Sequence, residues 1–225
     1  MGGAGLVDFR VRVAQGHLRH DLLPSFWSTV GISTGRGLMT VPLWSPKDPS
    51  VLPATNAIHV SRFLEFDDPA RYPNIASIQF VDAPELVVAR ARRVAQQRNA
   101  IDLPSMLLVW LGFVWGAGTR QNPLLQNVGL PAAVFVQTGF AISGIELCPG
   151  LASASSCPEA IWQSALWWHE YYEKTATVSP AEKPSAAPTS QRGRNPRTIV
   201  PRGTYLLRQK AAAVTYEDKR AQRLG

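Results

Sequence analysis

The chain carries only two cysteines in 225 residues, Cys148 and Cys157. That excludes a disulfide-framed fold, which needs several paired cysteines at short spacing. The pair reads as two reduced thiols. Also missing is an uninterrupted apolar run of about twenty residues, the length that crosses a bilayer. The two longest apolar stretches reach it only by including Asp102, Pro104 and Thr119, or Pro131, Gln137 and Glu146. Buried core helices are therefore the favoured reading. A membrane-associated subunit with an apolar hairpin at 103–146 is the alternative, with Trp110, Trp115, Trp162 and Trp167 available at an interface. No secretory leader is legible, because Asp8, Arg10, Arg12, Arg19 and Asp21 break any apolar stretch near the start. The expected location is intracellular, cytoplasmic or organellar, with membrane association left open. A phosphate-cradling loop is absent too. Gly31 to Gly37 is glycine-rich and holds Arg36, but lacks the Gly-Lys-Ser/Thr ending that binds phosphate and Mg²⁺. It reads as a mobile loop.

What is present is a segregation of charge. Residues 174–225 hold eleven Lys or Arg against three acidic residues, while residues 1–173 hold twelve against thirteen. A near-neutral body thus precedes a basic tail, a pattern that suits an anionic partner. Composition divides the chain into a globular body (1–174), a Pro/Ala/Ser-rich linker (175–191) and the tail (192–225). The tail's cations are Arg192, Arg194, Arg197, Arg202, Arg208, Lys210, Lys219, Arg220 and Arg223. Such an arm can track a phosphate backbone with salt-sensitive, largely sequence-blind affinity. Pro and Gly keep its first part extended, and a helix is expected from Thr204 onward. Tyr205 and Tyr216 could stack on bases but are too few for a platform.

The body reads as α+β: mostly antiparallel N-terminal strands packed on a C-terminal group of three to four helices, with the basic, largely extended tail beyond. Val7, Phe9, Val11 and Val13 alternate with Asp8, Arg10 and Arg12, which predicts a half-buried strand. Strands are also expected over 37–44, 57–66 and 75–81, with turns at Asp67-Asp68-Pro69 and Tyr72-Pro73-Asn74. Three helix starts share one form, a cap residue two positions before a proline: Asp82, Asp102 and Ser156. Glu85 and Glu159 would complete capping boxes. The first helix, about 84–99, buries Val87, Ala91, Val94 and Ala95 and carries Arg90, Arg92, Arg93 and Arg98. The second, 104–117, is apolar on all sides and is expected to be the central helix. The last, 158–174, has Ile161, Ala165, Trp168 and Tyr172 on one stripe.

Candidate chemistry is sparse. Glu65, Asp67, Asp68 and Asp82 fall at strand ends, where carboxylates can hold Mg²⁺ for phosphodiester hydrolysis. Turn and cap roles explain them equally well. Cys157 beside a helix N-terminus, with His169, suggests a thiol hydrolase, since the helix end would lower the thiol pKa. Cys148, Cys157 and His169, with Glu146 or Glu173, are zinc-ligand types without zinc-site spacing. His169 and Glu173 lack the second histidine of a zincin helix. His17, His20 and Asp21 read as a solvated turn. No metal site or cofactor is expected. The leading expectation is a non-catalytic interaction or assembly subunit, whose tail contacts nucleic acid or an acidic protein surface. A metal-dependent nuclease or thiol hydrolase is the enzymatic alternative.

Overall fold

The structure is a computed structural model that describes residues 1–43, 56–80, 84–97, 101–116, 119–176, 197–198 and 201–209. It is α+β. Five α-helices are described: α1 (Leu6–Ala14), α2 (Pro84–Gln96), α3 (Leu103–Trp115), α4 (Pro131–Ile142) and α5 (Pro158–Ala176). A small antiparallel sheet has the order β1-β2-β3, from Ile32–Ser33, Leu38–Thr40 and His59–Ser61. Strand β4 (Asn74–Phe80) pairs antiparallel with β7 (Pro201–Gln209), and β5 (Ile145–Glu146) pairs parallel with β6 (Arg197–Thr198).

The expected strand over 7–13 is helix α1. Its buried positions, Val11 and Ala14 with Val7 partly covered, follow helical spacing, while Phe9 and Val13 are each 49% exposed. The residues expected on a wet strand face find partners instead. Arg10 donates to the Val114 carbonyl of α3, and Arg12 Nε donates to the Ser25 carbonyl at 2.6 Å. Asp8 in the first turn and Arg12 in the last also suit the helix dipole. Alternation in sequence was overridden by tertiary partners.

Helix α4, not α3, is central. Every residue from Pro131 to Gln137 is buried, and so is Gly139. Gly139 faces Ala91 of α2, and a Cβ there would lie 3.4 Å from that of Ala91, at ordinary contact distance. Helix α3 buries only Leu103, Leu107, Trp110 and Val114, leaving Leu108 60% and Trp115 52% exposed. Its all-round apolarity does not make it an interior helix. Trp110 is anchored by an Nε1 bond to the Gly129 carbonyl at 2.8 Å. Among the described residues no helix is long and apolar enough to cross a membrane. Helices α3 and α4 have 13 and 12 residues, about 20 Å or less of rise.

Helix ends test the predicted caps. Asp102 does cap α3, accepting from the Ser105 N–H at 3.2 Å and from its hydroxyl at 2.5 Å. Asp82 lies outside the described residues. Ser156 does not act as the cap of α5: its buried hydroxyl has no hydrogen-bond partner among the described residues. The N–H of Glu159 is instead received by the side chain of Gln15 at 2.9 Å, so the cap comes from the far end of the chain. At the other end of α2, Asn56 Nδ2 donates to the carbonyls of Val94 and Gln97, each at 2.8 Å. Those are carbonyls that a helix C-terminus leaves without internal partners.

Two further expectations change. The run 57–66 is strand only at β3, followed by a 3₁₀ turn over Phe63–Phe66. The glycine-rich loop is a tight hairpin joining β1 to β2. Thr34 and Gly37 are bonded through backbone and hydroxyl (2.8 to 3.1 Å), with Gly35 at φ +80°.

Candidate functional site

The segment from Thr204 is strand, not helix: β7 runs to Gln209 beside β4, with Tyr205 opposite Ser77 and Arg208 opposite Ile75. Both register irregularities insert an extra residue in β7, Arg202 and Leu207, leaving β4 regular. Of the predicted anion-binding residues, Arg197 lies in β6 and Arg202 and Arg208 in β7. Arg192, Arg194, Lys210, Lys219, Arg220 and Arg223 lie outside the described residues, as does Tyr216.

Among the described residues, the carboxylates near the strand ends do not converge on a metal position. Glu65 Oε1 accepts from the Arg62 N–H at 3.2 Å. Asp68 Oδ1 accepts from the N–H groups of Ala70 (2.8 Å) and Arg71 (3.3 Å), a turn role. Asp67 lines a cleft described below. Among the described residues no three His, Cys, Asp or Glu side chains are grouped to hold a metal ion.

Cys157 is buried and forms no disulfide, and the same holds for Cys148. Burial pushes each thiol up to about 12. The expected lowering by the helix N-terminus is reversed, because desolvation of a thiolate outweighs the partial charge of a helix end here. At neutral pH Cys157 is a thiol, a poor nucleophile. His169 lies on α5, outside the described side chains. His17 Nδ1 lies 3.0 Å from the Ala14 carbonyl. Asp21 is held by Arg19 at 2.9 and 2.5 Å, and that hydrogen bond lowers its carboxyl to about 2.

Two arrangements were not visible in sequence. The first is a buried polar knot at the start of α5. Glu159 is 0% exposed. It accepts from Ser25 Oγ at 2.5 Å and Gln163 Nε2 at 2.6 Å, with Arg19 at 3.9 Å. Gln15, also fully buried, donates to the carbonyls of Val11 and Trp27 while capping Glu159. These groups satisfy one another and face no opening, so their chemistry is structural. The second is a cleft of about 1300 Å³ between the β1–β2 hairpin, β4 and α2. Its floor includes Val136 and Phe140 of α4 and Ile161 of α5, and Asp67, Glu85 and Arg92 also line it.

No family model, curated protein or solved structure matches the chain. Function is therefore argued from its own residues.

Proposed function

We propose that the chain is a non-catalytic interaction or assembly subunit whose basic C-terminal segment contacts an anionic partner, a nucleic-acid backbone or an acidic protein surface. The observation that carries this reading is the charge segregation: eleven Lys or Arg against three acids after residue 173, on a body with twelve against thirteen. The pairing of β7 with β4 supports it, since it ties part of that segment to the body and places Arg202 and Arg208 on the sheet. Clustered cations of this kind bind phosphate arrays by releasing counterions, with affinity that falls steeply with salt.

The test replaces Arg192, Arg194, Lys219, Arg220 and Arg223 together by Gln, which leaves β7 intact. Binding to labelled single- and double-stranded oligonucleotides, and to polyglutamate, is measured from about 50 to 200 mM salt. The unchanged chain is expected to bind one polyanion with a steep salt slope. The variant should bind more weakly, with the slope reduced by about 0.7 to 0.9 per lost phosphate contact. An unchanged slope and affinity would refute the proposal.

A further inference from the structure

Helix α2 gathers cations that the fold does not use. Residues 1–173 hold twelve Lys or Arg, and eleven of them are Arg. Several of these arginines serve the fold. Arg10 and Arg12 donate to backbone carbonyls, Arg19 pairs with Asp21 and Glu159, and Arg71 lies over the Tyr72 ring. Arg90, Arg92 and Arg93 fall within four consecutive positions of α2. Among the described residues no hydrogen bond, ion pair or ring contact engages them.

The helix itself offers them no partner. A surface arginine is commonly balanced by an acid three or four positions away. No acid stands at those positions for any of the three, and Glu85 is five positions from the first. Arg90 and Arg93 instead stand one turn apart, where like charges repel. Val87, Ala91 and Val94 hold α2 to the core. At about 100° per residue, the opposite side centres on Ala89 and Gln96, with Arg92 about 50° to one side and Arg93 about 50° to the other. Arg92, Arg93, Gln96 and Gln97 are exposed, and Arg90 is half-buried on the flank of Arg93.

Topology adds a cation from far along the chain. Strand β4 ends at Phe80, four positions before α2 begins. At that end of β4, the irregularity in β7 places Arg202 between Pro201, opposite Phe80, and Gly203, opposite Gln79.

We propose that the exposed arginine face of α2 is a second contact for the anionic partner, and that this partner is the phosphodiester backbone of a nucleic acid. This contact rests on the reading of the basic segment only for the sign of the partner's charge, and it commits that partner to one class. Arginine forks grip phosphate oxygens through paired hydrogen bonds, which a lysine ammonium cannot form. Glutamine amides supply further phosphate and sugar contacts. A protein interface is ordinarily centred on a large, buried anchor. The centre of this face is Ala89 and Gln96, and the large apolar side chain exposed on it is Leu86 at its side.

The test compares four full-length chains. They are the parent, Arg90→Gln/Arg92→Gln/Arg93→Gln, the five-residue variant of the basic segment, and Arg36→Gln/Arg62→Gln/Arg120→Gln. The last removes three exposed cations elsewhere on the body. Binding to labelled single- and double-stranded oligonucleotides and to polyglutamate is measured from about 50 to 200 mM salt. The α2 variant is expected to bind oligonucleotides about tenfold or more weakly near 100 mM salt, with the salt slope reduced by about two to three. The Arg36/Arg62/Arg120 variant should stay near the parent. Glutamine is a good helix former, so the thermal midpoint should hold. Arg93→Glu, a single change at an exposed position, should weaken binding in the same direction and decides the matter if the triple variant misfolds. An α2 variant with the parent's affinity and slope would overturn the proposal. So would an equal loss in the Arg36/Arg62/Arg120 variant, which would make net charge the cause. A parent that binds polyglutamate and no oligonucleotide would overturn it too, while leaving the basic segment with an acidic protein partner. Loss confined to the five-residue variant would remove the α2 contact alone. Loss confined to the α2 variant would support it and remove the role given to the basic segment.

Discussion

Glu159→Ala probes how the N-terminal segment is tied to α5. The carboxylate is 0% exposed and accepts two short side-chain bonds, from Ser25 (2.5 Å) and Gln163 (2.6 Å). Hydrogen bonds to a charged group contribute about 1.5–3 kcal/mol each. Part of the loss is recovered, because Ser25 Oγ also lies 3.2 Å from the Trp27 carbonyl and Gln163 is only half-buried. The net cost is then about 2–4 kcal/mol, a large part of a stability of about 5–15 kcal/mol. Glu159→Gln keeps an acceptor and the shape, and should cost about 1–2 kcal/mol. Chemical denaturation at pH 7, followed by tryptophan fluorescence, gives both values. A cycle of Ser25→Ala and Glu159→Ala should show a coupling of about 1–3 kcal/mol. A coupling near zero, or a loss below about 0.5 kcal/mol for Glu159→Ala, would refute the idea that this carboxylate ties the N-terminal segment to α5.

Phe135→Ala in α4 should cost about 3–5 kcal/mol in urea denaturation, whereas Leu108→Ala on the exposed face of α3 should cost less than about 1; equal losses would return the central role to α3. Asn56→Ala removes both carbonyl contacts of α2 and places alanine at φ 43°. We expect a loss of about 2–3 kcal/mol, read by thermal unfolding. The two thiols, raised to about 12 from 9.0, stay protonated in the folded chain while an unfolded chain releases its protons from about pH 9 upward. Stability from them is therefore complete below about 9 and is lost between about 9 and 12, by up to about 1.4 kcal/mol per pH unit for each thiol. The stability difference between the parent and Cys148→Ala/Cys157→Ala should shrink over pH 8–11; a constant difference would show that the thiols are solvated. A disulfide reagent at pH 8 should label both thiols far more slowly in the folded chain than after urea, as checked by absorbance.

Local chemistry determined a good part of this protein from sequence alone. Asp102 two residues before Pro104 determined the start of α3, because that cap needs only its own turn. Pro158 determined the first turn of α5, and the spacing of Val87, Ala91 and Val94 determined the face that α2 buries. The charge boundary near residue 174 is a property of composition and needs no fold. What tertiary structure decided was every case in which a residue's partner lies far along the chain. The 7–13 segment alternates like a strand, yet Val11, Ala14 and the arginine bonds to Val114 and Ser25 make it a helix. Two apolar runs look alike in sequence. Only the tertiary packing buries α4 from Pro131 to Gln137, while α3 remains half-exposed. Cys157 sits at a helix N-terminus in either description, but only burial fixes the sign of its pKa shift. The pairing of Met1–Gly2 with Thr29 and Asn74 has no sequence signature at all. Met1–Gly2 lies between two stretches more than forty residues distant in sequence, and backbone edges find partners only once strands have neighbours.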